Sequence, residues 1–535
     1  MTRRTSALLL TILAAAYTWP VVTGWNLGHF DFGDGNYMYI SARLAAGDML
    51  YRDVLAPQPP VHLLLGAGIQ KIGSLVLQEP LYAFRFYSLI LHLATMVLVY
   101  RTTIRLARPN PDQDPDGPEE WRARHRPAGV MAAFVYMVLP LGFWWTQSYQ
   151  SEPTEMLLMV AGFHQMLSHR RRRMALAGLL FGLAVLTNMT AAPYAMFTAG
   201  YLGVRHYQRL FWPFTLALLT VVFSTIIVGE FLTRAYLENV ILNQVGSFPR
   251  ENPVGYAIGK ILNQGAKVSR LQAGWLVLGI LGLLIHVRRG PILTREIACT
   301  LTFFALCSII YTAKGGTMDY IFTIGEPFLA MFAGLALGHG LRRYGLGLCR
   351  RCQQRGLGDT TDWVTPAAAT MLLIWIILPG IAWKIQVQTQ EAYEYPERDT
   401  LRVVNTIKRL APSPDDLVLA PPHYAYLARR KIVENYSETY LWMLKYHNER
   451  MDRQPARGVQ AAESIAQQLR EKKLAAVVFD ARQEGTIPEI REALQAHYVS
   501  EGPAFRTLNR ELQVWRPRPM EQGESTSPDP PPAGP

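Results

Sequence analysis

The chain alternates long apolar stretches with shorter polar ones, and most of the apolar stretches have the length of membrane spans. Ser6 to Val22, SALLLTILAAAYTWPVV, is apolar without alternation and follows Arg3 and Arg4. That pattern fits a signal anchor better than a cleaved signal peptide. Further stretches close to the roughly 20 residues that cross a bilayer fall near 81–104, 127–147, 153–168, 174–190, 191–204, 210–230, 271–287, 296–313, 320–340 and 365–385, making eleven candidate spans.

The connectors sort into two alternating classes. One is rich in arginine: Arg105, Arg108, Arg122, Arg124 and Arg126; Arg170 to Arg173; Arg205 and Arg209; Arg288, Arg289 and Arg295; Arg342, Arg343, Arg350, Arg351 and Arg355. The positive-inside rule puts these in the cytoplasm with the N-terminus. The first loop, residues 24–80, then faces outward, as do Ser148 to Glu152, Thr233 to Arg270, Lys314 to Asp319 and everything after Trp383. The expectation is a multi-pass protein of the inner (plasma) membrane. Its net charge of +12 follows from this topology and gives no reason to invoke nucleic acid.

Beyond residue 386 the pattern changes to that of a soluble domain. DDLVLA at 415–420 and AAVVFDA at 475–481 read as buried strands, while TLRVVNTIKRLA, GVQAAESIAQQLREKK and IPEIREALQAHY have helical spacing. The expected organisation is a transmembrane module over 1–386, an extracytoplasmic α/β domain over 387–516 and a disordered tail over 517–535. Cys299 and Cys307 read as small buried hydrophobes. Cys349 and Cys352 form one CRRC pair with no second pair or nearby histidines to complete a zinc site.

Candidate chemistry concentrates in the first loop, where Asp31, Asp34, Asp48 and Asp53 lie among aromatics and prolines. Asn36 to Leu44 has helical character and Gly47 ends it; VHLLLGAGIQKIG reads as an amphipathic helix along the membrane surface. The stretch GDGNYMYISARLAAGDMLYRDVLAPQPP, followed by YAFRFYSLI, resembles the first outer loop of the GT-C membrane glycosyltransferases. It is similar to glycosyltransferase family 39 and its bacterial relatives, which include protein O-mannosyltransferases and aminoarabinose transferases. SEPTEMLLM, AVLTNMTAAP, DYIFTIGEP and the terminal α/β domain extend the likeness over most of the chain. Two departures stand out. Aligned on GNY and on Gly47, Gly33 occupies the first position of the family's acidic pair and Asp34 the second, whereas the alternative register, which leaves Tyr37 one place off, puts Asp34 at the first; and Asn188 stands where relatives often carry lysine.

The resemblance implies transfer of a sugar from a polyprenyl-phosphate donor to a lipid, glycan or protein acceptor on the outer face. Asp34 is then the expected base, Asp31, Asp53 and Asp319 are reserve acids, and Glu152 is a second acid of the site with Glu155 behind it. Arg85, Lys314 and Arg270 are the candidates for the donor phosphate, ahead of Lys260 and Lys267. A hydroxyl nucleophile gains from a carboxylate that takes its proton, and a leaving phosphate gains from nearby positive charge. The sequence offers no convincing DxD-type diphosphate–metal pair, which favours a metal-independent reaction without cofactor. Two other readings share the spans: a transporter or flippase of a lipid-linked sugar, which predicts repeat-related broken helices, and a non-catalytic envelope-binding protein anchored by its spans. No Walker loop, GxGxxG opening, HExxH or GxSxG elbow appears.

Overall fold

The computed structural model describes residues 1–23, 25, 32–54, 56–107, 118–139, 148–204, 207–242, 253–289, 323–354, 397–433, 462–480, 488–502, 505–506 and 511–519. The chain divides into two compact units, Met1–Tyr393 and Glu394–Pro535.

The first unit is helical: α1 Arg3–Thr23, α2 Phe32–Ala45, α3 Pro60–Val76, α4 Leu81–Leu106, α5 Pro118–Val138, α6 Glu152–Met166, α7 Arg171–Val185, α8 Ala192–Val204, α9 Gln208–Thr233, α10 Pro253–Arg289 and α11 Glu326–Gln354. Among the described residues α1, α4 and α9 are long and apolar enough to cross a membrane, and Gln272–Arg288 within α10 is a shorter apolar segment. The stretches expected near 296–313 and 365–385 lie outside the described residues. α10 begins well inside the segment read from sequence as an outer loop. Val254, Ile258 and Leu262 repeat at a spacing of four, and no proline interrupts them. Lys260, Lys267 and Arg270 depress the hydropathy there without breaking the helix.

Cross-helix contacts orient the bundle. Tyr87 meets Thr154 and Thr102 meets His164, so α4 and α6 run parallel. His92 meets Tyr136, while Gly129 abuts Tyr100 and Ile104, so α5 runs back along α4. The Met1 main-chain nitrogen donates to the Ala123 carbonyl at 3.3 Å, and Arg126 donates to the Met1 carbonyl at 3.0 Å, aligning α1 with α5. Gly178 and Gly182 of α7 pack on Phe214 and Leu218 of α9, and Gly282 of α10 sits on the Phe332 carbonyl of α11. Small residues at such crossings let helices approach where apolar burial alone does not drive association.

One consequence is a bundle with two chemically distinct ends. Arg3, Arg4, Arg101, Arg105, Arg122, Arg124, Arg126 and Arg171 to Arg173 fall at one end of their helices. Asp34, Arg85, Glu152 and Asn188 fall at the other. On α4 alone, Arg85 and Arg105 are about 30 Å apart at 1.5 Å per residue, a bilayer core's thickness.

The second unit carries a sheet in the order β2-β1-β3-β6-β4, with β5 paired to β6. Its strands are β1 Leu417–Leu419, β2 Lys431–Ile432, β3 Ala476–Asp480, β4 Tyr498–Ser500, β5 Phe505–Arg506 and β6 Glu511–Pro517. β1 pairs parallel with β2 and β3, and β6 pairs antiparallel with β3, β4 and β5. α12 Glu397–Leu410, α13 Pro422–Ala428, α14 Ala462–Arg470 and α15 Pro488–His497 accompany it. Val403, Val404 and Ile407 supply the buried stripe of α12 at helical spacing.

Candidate active site

The end of the bundle opposite the arginines is organised by the short turn Ser148 to Ser151, which leads into α6. Asp34, in the first turn of α2, is fully buried, and its Oδ1 accepts the Tyr149 main-chain N–H at 2.7 Å. A carboxylate there also meets the positive end of the helix dipole. The Tyr149 hydroxyl donates to the His62 carbonyl at 2.7 Å. Its ring lies 4.1 Å from the His62 imidazole in a stack and 4.5 Å from Phe84. Tyr37 meets the His62 ring edge-on, with ring centroids 5.1 Å apart. Gly66 leaves room for the phenol, since a Cβ there would stand 2.5 Å from the Tyr149 hydroxyl. These contacts lock α2 and α3 of the first loop onto the turn.

α4 joins the same turn from another side. Ser88 Oγ donates to the Ser148 carbonyl at 2.9 Å, and Tyr87 meets Thr154 at 3.2 Å. Arg85 shares this end of α4 and is fully buried. A buried guanidinium persists only where it has partners or a task.

Glu152 and Glu155 open α6, both buried. Asn188 Nδ2 donates to Ser151 Oγ at 3.0 Å and to Glu152 Oε1 at 3.3 Å, while Asn188 Oδ1 accepts the Thr190 N–H at 3.2 Å. Thr190 Oγ1 donates to Glu155 Oε1 at 2.7 Å. The other oxygen of Glu155, Oε2, has no hydrogen-bond partner among the described residues. Val61 N–H reaches the Leu186 carbonyl at 3.0 Å and ties α3 to the end of α7. The structure thus gathers Asp34, Glu152, Glu155 and Asn188 around one turn, with Arg85 about one helical turn from Ser88 on the same end of α4.

The other candidates separate. Asp53 accepts the Met49 N–H at 2.9 Å and pairs with Arg52 at 2.8 Å; the Arg52 hydrogen bonds hold its carboxyl below the usual range. Asp48 pairs with Arg43. Both acids close the loop's own turns. The loop is further fixed by Tyr51, which takes a left-handed backbone (φ 67°), donates to the Gln58 carbonyl at 2.7 Å and meets Tyr236 edge-on at 5.1 Å. Lys260 lies 5.9 Å from the Tyr256 ring on α10. Arg270 and Lys267 are on the same helix, with side chains outside the described residues, and Asp31, Lys314 and Asp319 lie outside them altogether. Among the described residues no group of three or more His, Cys, Asp or Glu side chains gathers to hold a metal.

Sequence reasoning did not find Tyr149, His62 or Thr190. Tyr149 is an aromatic in a polar connector, and nothing local distinguishes it from a surface residue. A second buried polar group was missed as well: Gln272 donates to Glu326 at 2.5 Å, and Tyr136 bonds His92 at 2.9 Å. The GEP triplet of DYIFTIGEP carried that signal, because an acid opening an apolar helix is costly unless it has partners.

A family model, glycosyltransferase family 87, matches residues 59–311, a stretch that includes Arg85, Glu152 and Asn188 and begins after Asp34. No curated protein sequence matches the chain. Among solved structures, ArnT from Cupriavidus metallidurans bound to undecaprenyl phosphate matches 96% of this chain and 98% of its own, with TM-score 0.61 at 14% identity. The same protein in its apo state gives TM-score 0.58 at 14% identity, over 94% of this chain and 97% of its own. The Archaeoglobus fulgidus oligosaccharyltransferase tethered to an acceptor peptide covers 94% of this chain and 73% of its own, with TM-score 0.51 at 16% identity. The family model that matches is family 87, so the likeness to family 39 holds at the level of the shared GT-C fold. The chain thus carries the glycosyltransferase family 87 pattern over 59–311, within a fold that it shares across nearly its whole length with the GT-C membrane glycosyltransferases.

Proposed function

We propose that the protein transfers a glycosyl group from a polyprenyl-phosphate donor to a hydroxyl acceptor at the carboxylate end of its bundle, on the outer face of the plasma membrane. The observation that carries this reading is the anchoring of buried Asp34 to the turn from which Glu152 and Glu155 project. The ArnT structure, of similar fold, holds undecaprenyl phosphate, which supports a donor of that class.

In this reading the acceptor oxygen attacks the anomeric carbon and its proton passes to Asp34. The bond from that carbon to the phosphate oxygen breaks, and its electron pair stays on the departing polyprenyl phosphate, which Arg85 stabilises. Glu152 and Glu155, oriented by Asn188 and Thr190, accept hydrogen bonds from the sugar hydroxyls. Reserve roles for Asp31 and Asp319, and phosphate contacts from Lys314 and Arg270, belong to the same proposal. The acceptor is a lipid, a glycan or a protein, and the reaction proceeds without a cofactor.

The test is turnover of labelled polyprenyl-phosphate sugars by the full chain in lipid vesicles. Transfer, or slow hydrolysis of one donor, is expected. Donor that crosses the bilayer chemically unchanged overturns the reading in favour of a transporter.

A further inference from the structure

The far end of α4, α6 and α7 holds a basic cluster that the transfer reaction does not use. Arg101 and Arg105 stand one turn apart on α4. Arg105 Nη1 donates to the His164 carbonyl at 3.2 Å, and Thr102 Oγ1 meets His164 Nδ1 at 3.0 Å. From α7, Arg173 Nη1 donates to Gln165 Oε1 at 2.8 Å. Arg101, Arg105 and Arg173 all act electrostatically on His164. Arg170, Arg171 and Arg172 extend the cluster, and they, like Arg101 and Arg173, are exposed.

Two features of the sequence go beyond what the positive-inside rule requires. No Asp or Glu occurs between Glu79 and Asp112 or between Glu155 and Glu230, so the three helices bring no acid of their own to this end. No lysine occurs between Lys71 and Lys260, so every fixed positive charge here is a guanidinium. Lysine and arginine orient a span equally well. Only arginine offers a planar fork that engages two phosphate oxygens at once. The cluster also sits about 30 Å along α4 from Arg85, at the depth of the opposite headgroup layer.

We propose that the Arg101–Arg105–Arg173 cluster, with Arg170 to Arg172, binds the phosphodiester headgroup of an anionic bilayer phospholipid. The proposal rests on the membrane reading of the first unit and not on the identity of the donor, so it stands or falls independently of Asp34. Arginine side chains lie across the headgroup phosphate, and their apolar stems cover the end of the bundle.

The experiment uses the full chain in mixed micelles containing labelled phosphatidylglycerol, with phosphatidylcholine and inorganic phosphate as separate competitors. The parent is expected to retain phosphatidylglycerol against excess of either competitor. Arg101→Lys/Arg105→Lys/Arg173→Lys keeps the charge and the orientation signal. Its retention is expected to be about tenfold weaker, because monodentate bonds replace bidentate ones. Since Arg105 and Arg173 also bond helix ends, Arg170→Lys/Arg171→Lys/Arg172→Lys is the second variant. It touches no side-chain hydrogen bond or ion pair among the described residues and is expected to weaken retention several-fold at unchanged thermal stability in zwitterionic micelles. Retention equal to the parent in both variants, or equal affinity for phosphatidylcholine, overturns the proposal. Displacement by inorganic phosphate at matched concentration overturns the assignment of a lipid and leaves a free-anion site.

Discussion

Replacing Asp34 by asparagine separates the anchoring of Tyr149 from the proton transfer that the proposed mechanism assigns to the carboxylate. Oδ1 accepts the buried Tyr149 N–H at 2.7 Å, and an asparagine carbonyl oxygen of the same shape accepts it equally well. What the substitution removes is the negative charge and with it the capacity to take a proton. A positioned general base contributes about 10²–10⁴ in rate, which is about 2.7–5.5 kcal/mol of barrier. Asp34→Asn is therefore expected to fold and bind donor like the parent while its turnover number falls by at least about a hundredfold. Asp34→Ala removes both tasks. It leaves the Tyr149 N–H buried without an acceptor, at a cost of about 1–3 kcal/mol in stability, and opens a cavity where the side chain was fully buried. The assay pairs single-turnover transfer from the labelled donor with thermal melting in detergent. An Asp34→Asn enzyme with parental turnover refutes the base assignment. An Asp34→Ala protein as stable as the parent refutes the anchoring role.

Further outcomes follow from the same contacts. Tyr149→Phe keeps the ring stack and the main-chain N–H but removes the phenol's bond to the His62 carbonyl, which the helix hydrogen bond of α3 still satisfies. A loss of about 0.5–1.5 kcal/mol is expected, read as a lower midpoint in thermal melting. Gly282→Ala drives a methyl group into the Phe332 carbonyl at the α10–α11 crossing, so the helices must separate; about 1–3 kcal/mol of destabilisation and reduced yield in the membrane are expected. In the second unit Glu501 bonds Arg409 at 2.9 Å and Arg516 at 2.6 Å, and the Arg409 guanidinium foremost holds its carboxyl below the usual value. Because the folded value is the depressed one, this contribution is present at neutral pH and disappears as pH falls through the carboxylate range. Glu501 is largely solvent-screened, so the effect stays under about 1 kcal/mol. Urea unfolding at pH 7 is expected to distinguish Glu501→Gln from the parent, and unfolding at pH 3 is not.

Particular residues show how far the sequence could be read. The described helices α1, α4 and α9 coincide with strongly apolar stretches because spanning length and hydropathy are properties of contiguous residues. β1 and β3 were visible as short apolar runs bounded by turn residues, whereas β6, ELQVWRP, mixes polar and apolar positions and takes its place from pairing with β3 and β4. The first half of α10 was read as loop because its lysines and arginine mask its helical spacing from a hydropathy window. In the candidate site, Asp34, Glu152 and Arg85 were legible as charges where charge is expensive. Tyr149 was not, because its importance lies in an amide that meets a carboxylate 115 residues away.

By itself the sequence determined which stretches are apolar enough to lie in a membrane, which connectors carry arginine and which acids lie near span boundaries. Those are additive, local properties, and solvation acts on them segment by segment. Only the tertiary structure decided that Asp53 and Asp48 close turns within the loop while Asp34 is held by the 148–151 turn. It likewise brought the arginines of α4 and α7 together around His164. The physical reason is the same in each case: two side chains on different helices meet only when rotation, depth and crossing geometry are set together, and these are fixed by packing across the whole bundle.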